Sequence, residues 1–172
     1  MLATNVLRML SLLFLTTIFS AGCSGVKTYS STLPKNMTAS ATLDSGSALK
    51  STIAEFDIHR VTPSCDIDYL GRVYLDDGES TPVGIPTGEP LFLDFIFASK
   101  VFLSSNISAV RYETMLTPRS GYDYQVDARY VKGIFDVSIR ETGKNGSTVR
   151  TLERRPLSSC KATTPKGNTA KR

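Results

Sequence analysis

Apolar and polar residues alternate along most of the chain after residue 52. The pattern is clearest over 122–130, where Tyr, Val and Ala alternate with Asp, Gln and Arg. Successive side chains of a strand point to opposite faces, so a period of two predicts strands that are buried on one side. By the same pattern we predict further strands at 53–59, 67–75, 110–116, 135–139 and 149–155, the last a polar edge strand.

The segment 91–98 differs, because its sequence LFLDFIFA is apolar at almost every position. Such a strand is buried on both faces, so we place it in the centre of a sheet. A Pro/Gly-rich loop at 82–90 and tight turns at Lys132-Gly133 and Asn145-Gly146 separate the segments. No long run has a helical period. The chain is therefore predicted to be all-β, with a single antiparallel β-sandwich over 52–160.

The residues on either side of the predicted sandwich lack a sustained apolar period. Ser, Thr, Gly, Lys and Pro dominate residues 24–51, which predicts a flexible tether. Residues 161–172 are basic and are predicted to form a disordered tail. With the leader and lipid site described below, the expected organisation is 1–22 signal peptide, 23–51 lipidated N-terminus and tether, 52–160 sandwich and 161–172 tail.

The first part of the chain has the form of a secretory signal. A single early charge, Arg8, precedes an apolar run at 9–19 that is too short to span a bilayer comfortably, and small residues follow it. Cleavage after Gly22 would leave Cys23 at the new N-terminus. The chain is thus predicted to be exported.

The four residues Ser20-Ala21-Gly22-Cys23 resemble the bacterial lipobox, although Ser20 stands where the lipobox usually has leucine. The resemblance implies that Cys23 carries acyl chains such as palmitate, which would hold the protein on a membrane. Ser24 then implies an outer-membrane lipoprotein that faces the periplasm. The alternative is an ordinary signal peptide, cut at the same small residues, with a free Cys23.

Three cysteines are present, and if Cys23 is acylated, Cys65 and Cys160 remain. An exported chain favours their pairing in a disulfide, which closes a long loop and stabilises the fold by about 4–5 kcal/mol in chain-entropy models. A metal site built from the two cysteines and His59 lacks the short paired spacing of zinc sites. The acidic cluster at 76–80 lacks the spacing of an EF-hand, so we predict a turn there and no metal or other cofactor.

The formal net charge is +4, and the basic residues are concentrated near the C-terminus. Two interpretations of this basic segment stay open, contact with anionic lipid headgroups or a plain solvated tail. Nucleic-acid binding is not expected, because no aromatic residues lie among these charges and the protein is exported. The basic segment is 150–172, where Glu153 is the single acidic residue and the basic residues are Arg150, Arg154, Arg155, Lys161, Lys166, Lys171 and Arg172.

Catalytic motifs are missing from the sequence. The chain has one histidine, His59, which the alternation places on the polar face of its strand. Ser64 lies near it in sequence, but no Gly-x-Ser-x-Gly elbow and no Gly-rich phosphate loop occurs. We therefore predict that the protein is not an enzyme.

From Ala54 to Cys160 the chain resembles small bacterial envelope lipoproteins. The resemblance lies in a strand that ends near a cysteine, in the loop Pro86–Leu91 and in the Pro-x-x-Gly-x-x-Tyr turn that begins at Pro118. Some lipoproteins of this kind act as immunity proteins against effectors of type VI secretion. The resemblance thus implies a lipid-anchored periplasmic binding protein that neutralises a secreted antibacterial toxin. The alternative is a structural or assembly lipoprotein of a secretion or envelope machine.

Overall fold

The computed structural model describes residues 25–43, 50–101, 107–145 and 149–161. Its strands form a five-stranded sheet in the order β4-β1-β7-β8-β9 and a four-stranded sheet in the order β3-β2-β5-β6. The prediction of an all-β sandwich is therefore confirmed. The elements are β1 Met37–Leu43, β2 Lys50–Val61, β3 Ile67–Leu75, β4 Ser80–Val83, β5 Leu91–Val101, β6 Ile107–Leu116, β7 Tyr122–Val131, β8 Ile134–Gly143, β9 Val149–Thr151 and a 3₁₀ turn Leu157–Ser159.

Most predicted strands occur where the alternation placed them. β5 lies between β2 and β6 and is buried on both faces, as its apolar sequence predicted. β7 and β8 form the predicted hairpin, whose turn residues Lys132 and Gly133 have φ angles of 53° and 77°. Positive φ at both positions matches the right-handed twist of the two strands. β9 is a short edge strand, and it ends at Thr151 rather than at residue 155.

The prediction of a tether over 24–51 is wrong for residues 25–43. Met37–Leu43 forms β1, which lies inside the five-stranded sheet between β4 and β7. Its inward side chains Met37, Ala39 and Ala41 are at most 2% exposed. Ala contributes little hydrophobic signal to a sequence pattern, yet it fits where two sheets approach closely. The sandwich therefore includes a strand, β1, within the segment that was predicted to be a flexible tether.

The sandwich is not purely antiparallel as predicted, because β1 forms a parallel pair. It pairs parallel with β7 from Met37–Tyr124 to Leu43–Tyr130, whereas the other strand pairs are antiparallel. Before β1, Thr28 forms a bridge with Arg72 at the edge of the four-stranded sheet. The first described residues thus contact both sheets.

The core lies between the inner faces of the two sheets. Phe56 stacks on Phe95 with ring centroids 4.9 Å apart, and Phe97 meets Phe135 edge to face at 4.1 Å. Tyr124, from the five-stranded sheet, is 2% exposed. The aromatic residues of both sheets therefore fill a common interior.

The predicted disulfide between Cys65 and Cys160 is present, with its Cα atoms 5.9 Å apart. It joins the turn before β3 to the segment after the 3₁₀ turn. Leu157 and Cys160 pack on Val61, Phe92 and Met115, which form a small second apolar cluster. The C-terminal segment is thus fastened to the outer side of the four-stranded sheet.

The proposed lipid site, Cys23, and most of the basic tail lie outside the described residues. Within the described ranges, no helix has the length and apolar character needed to cross a membrane.

Candidate binding face of the four-stranded sheet

Charged residues lie at the centre of the outer face of the four-stranded sheet. Asp57 on β2 is opposite Asp94 on β5, and Asp94 is opposite Glu113 on β6. Asp57 and Asp94 are only 8% and 6% exposed, although their side chains point away from the core. We call the outward charged residues around this centre, on β2, β3, β5 and β6, the acidic face: Glu55, Asp57, Arg72, Asp94, Arg111 and Glu113.

Asp57 has a complete set of partners. The Nε and Nη2 atoms of Arg72 each donate to one of its carboxylate oxygens at 2.8 Å. Arg72 also forms an ion pair with Glu55, the next outward residue of β2. These hydrogen bonds raise the pKa of Arg72, so its charge is permanent. A bidentate fork of this kind holds both groups in place.

Asp94 is only partly satisfied. Its Oδ2 atom lies 3.2 Å from Nη1 of Arg111, whose side chain is 61% exposed. Its Oδ1 atom is buried and has no hydrogen-bond partner among the described residues. Burial raises the pKa of Asp94; Arg111 opposes this shift, while Glu113 and Asp57 add to it. A buried acceptor without a donor costs about 1–3 kcal/mol, so Asp94 is held at this position at a cost in stability.

Aromatic rings border the carboxylates on one side. The His59 ring lies between those of Tyr69 and Phe92, with centroids 5.3 Å and 5.7 Å away. His59 Nδ1 is buried and has no hydrogen-bond partner among the described residues. Burial lowers the pKa of His59, and Asp57 and Asp94 only partly oppose this shift, so the ring is neutral at pH 7. His59 lies on the charged side of β2, as the alternation predicted.

A β-bulge brings Tyr69 to this face. The register of β2 and β3 shifts between Ile58 and His59, so that Ile58 faces Gly71 while His59 faces Tyr69. The extra residue reverses the alternation, and Tyr69 turns outward, where it is 40% exposed. Simple alternation over 67–75 would place Tyr69 on the inward face with Val73, and a bulge is not visible in that alternation.

The comparisons with known proteins add no assignment. No family model, curated protein or solved structure matches this chain. The resemblance to envelope lipoproteins stays a prediction from the sequence, so the function has to be argued from the site.

The acidic face has an excess of negative charge and exposed aromatic rings at one edge. In the described residues, no group of three or more His, Cys, Asp or Glu side chains has the arrangement of a metal site. The four carboxylates of the face exceed its two arginines, which leaves a net charge of −2 with His59 neutral. Exposed rings of Tyr69 and Tyr74 lie along its β3 edge. Such a surface suits a partner with basic side chains.

One sequence signal could have indicated this site. Asp94 is the only charge in 91–98, the most apolar segment of the chain after the leader-like residues 9–19. A charged residue that is almost fully buried is rare unless it is paired. The neighbours that make the site, Asp57 and Glu113, lie far from Asp94 in sequence, and the pattern alone does not identify them.

Proposed function

We propose that this protein is a lipid-anchored binding protein of the periplasm, an immunity protein that docks its acidic face on a secreted antibacterial toxin. The observation that carries the proposal is the excess of carboxylates over arginines on the acidic face, with Asp94 at its centre. A lysine or arginine of the toxin would neutralise this excess negative charge.

Two further observations support the location and the mode of action. The sequence begins with a leader-like segment, and Cys65 and Cys160 form a disulfide, which is a bond that persists in oxidising compartments. Tyr69 and Tyr74 offer exposed rings next to the charges, and such residues often dominate the energy of protein interfaces. Inhibition of a toxin then needs only occlusion by a stable surface.

The test uses a strain that lacks this protein and faces sibling cells which deliver their toxins. We expect the strain to be killed, the wild-type gene to restore protection and Asp94→Asn to protect poorly. Asp123→Asn is the matched control, because Asp123 is an exposed carboxylate on β7, outside the acidic face. Full protection by Asp94→Asn would contradict the docking site.

The same experiment separates the two functions considered from the sequence. If the strain survives sibling attack unharmed but loses a secretion or envelope function, the protein is an assembly lipoprotein instead. Immunity requires that the purified wild-type protein inhibits the toxin that kills the deletion strain.

A further inference from the structure

A second polar site lies at one end of the sandwich, separate from the acidic face. A cavity of about 580 Å³ opens beside the end of β6 and the edge strand β9. Three arginines and two glutamates line it, together with apolar side chains. The charged and apolar lining residues considered for ligand binding are Arg119, Glu141, Arg150, Arg155, Met115 and Leu152.

Glu141 is the buried centre of this site. It continues the inward face of β8 beyond Ile139, and it is 1% exposed. Arg119 Nε and Tyr124 Oη donate to its Oε2 atom at 3.0 Å and 2.6 Å. These bonds, with those of Arg119 first in importance, lower the pKa of Glu141 to about 2. Glu141 is therefore a fixed negative charge that positions the groups around it.

Two guanidinium groups lie side by side on this one carboxylate. Nη2 of Arg119 and Nε of Arg150 both donate to Oε1 of Glu141, at 2.5 Å and 2.7 Å. The guanidinium carbon of Arg119 also lies over the ring of Tyr122, 3.7 Å from its centroid. One carboxylate neutralises only one of the two arginines. The pair therefore keeps one uncompensated positive charge.

Donor groups remain available in the cavity. A guanidinium has five N–H groups, and Arg150 gives only its Nε–H to Glu141. The side chains of Arg119 and Arg150 are 45% and 56% exposed, so their outer nitrogens reach solvent. Arg155 is a third arginine in the lining; its backbone N–H donates to Thr114 and its carbonyl oxygen accepts from the N–H of Met115, while its side chain has no hydrogen bond among the described residues. With Glu153 counted beside Glu141, the three arginines leave the lining a net charge of +1, together with N–H donors from separate elements.

We propose that this cavity binds the phosphoryl group of a small organic phosphate monoester. Adjacent guanidinium groups offer donors to several oxygens of a tetrahedral dianion, whereas a carboxylate has only two oxygens in one plane. The cavity has room for more than the phosphoryl group, and Met115 and Leu152 supply an apolar wall for the ester part. The site is independent of the acidic face, which suits cations.

The test is calorimetric titration of the purified full chain with phenyl phosphate. Three comparison probes are used: inorganic phosphate lacks the ring, benzoate lacks the phosphoryl group, and dimethyl phosphate lacks both the ring and the second charge. We expect phenyl phosphate to bind several-fold more tightly than each of them. Equal or tighter binding of benzoate overturns the choice of phosphate, and tighter binding of dimethyl phosphate points to a phosphodiester such as a lipid headgroup and overturns the monoester.

Variants locate the binding in the cavity. Arg150→Gln and Arg155→Ala should each weaken phenyl phosphate about tenfold, the usual effect of losing one charge-assisted hydrogen bond. Arg155→Ala is the safer variant, because its side chain has no hydrogen bond in the described fold. Arg129→Ala, an exposed arginine of β7 outside the cavity, removes the same charge and should bind as the wild type does. No binding by the wild type, or equal weakening by Arg129→Ala, overturns the proposal.

Discussion

Asp57 and Asp94 face each other on neighbouring strands, yet only Asp57 has a full set of hydrogen-bond donors. Arg72 approaches Asp57 from β3. Asp94 has one contact of 3.2 Å to Arg111 on β6, and its other carboxylate oxygen is buried without a hydrogen-bond partner among the described residues. Like charges directly opposite in a sheet repel each other, so this pair costs stability. Proteins retain such costs mainly where a binding site needs them.

We expect Asp94→Asn to stabilise the protein by up to about 1 kcal/mol at pH 7, because it removes the repulsion with Asp57 and the burial of a charge. The pKa of Asp94 is raised in the folded protein, so its ionisation costs stability as pH rises through its ordinary value of 3.8. The extra stability of Asp94→Asn over the wild type should therefore be present at pH 7. It should shrink near pH 3, roughly where Asp94 is protonated in both the folded and the unfolded protein. Urea unfolding measures both values.

Asp123→Asn is the control for this measurement, and it should change the free energy of unfolding little at either pH. A variant that is more stable yet protects cells poorly would separate the binding role of Asp94 from any role in folding. If Asp94→Asn instead unfolds more easily at pH 7, the account of its raised pKa is wrong.

Glu141→Gln should destabilise the fold by about 2–3 kcal/mol at pH 7, because Arg119, Arg150 and Tyr124 lose a charged acceptor. The pKa of Glu141 is lowered from 4.5 to about 2, so its stabilisation is present above pH 4.5 and is lost as pH falls towards 2. The difference between variant and wild type should shrink over that range. Glu79→Gln, at an exposed turn, should have no such effect. A constant difference across this range would exclude titration of Glu141 as the cause.

Loss of the Cys65–Cys160 disulfide should lower the free energy of unfolding by about 2–5 kcal/mol. Cys65→Ala and the double variant Cys65→Ala/Cys160→Ala should be equally unstable, because either change removes the same bond. Denatured wild-type protein should show no reactive thiol from these two positions under oxidising conditions. Two reactive sulfurs would show that the bond does not form.

Gly71→Ala should destabilise the protein by about 2 kcal/mol or more. Gly71 has a φ angle of +149°, and an added Cβ atom would lie 2.6 Å from the Cα atom of Tyr29. Tyr29 donates its hydroxyl to the carbonyl oxygen of Gly84 at 2.8 Å, so the clash would detach the segment before β1. Gly25→Ala is the control, since an added methyl group there meets nothing within 4 Å. Limited proteolysis near residue 29 and a thermal melt would show whether the segment is released.

Cys23→Ser should move the protein from the membrane fraction to the soluble fraction, because acyl chains are proposed to be its attachment. Labelled palmitate should enter the wild-type protein in a bacterial host but not the variant. Cys65→Ala is the control: it should still take up labelled palmitate if the label is attached to Cys23. Failure of the wild type to take up palmitate would favour an ordinary signal peptide.

The sequence by itself determined those features of this protein that depend on the local period of the backbone. Alternation over 122–130 predicts a strand wherever that strand is placed, and an unbroken apolar run such as 91–98 requires cover on both faces. The pairing of Cys65 with Cys160 was also predicted from the sequence, because the expectation of export and of an acylated Cys23 left only these two cysteines to pair. These inferences needed no knowledge of which strands are neighbours.

Only the tertiary structure decided which distant residues meet. β1 was missed because Ala39 and Ala41 bury little surface, and their place in the core depends on two sheets approaching closely there. Tyr69 turned outward because of a bulge that its own sequence does not mark. Asp94 meets Asp57, and Glu141 meets Arg119, through strand order and register. Those are set by packing of the whole chain, because cross-strand neighbours are chosen by long-range burial and not by the period of any one strand.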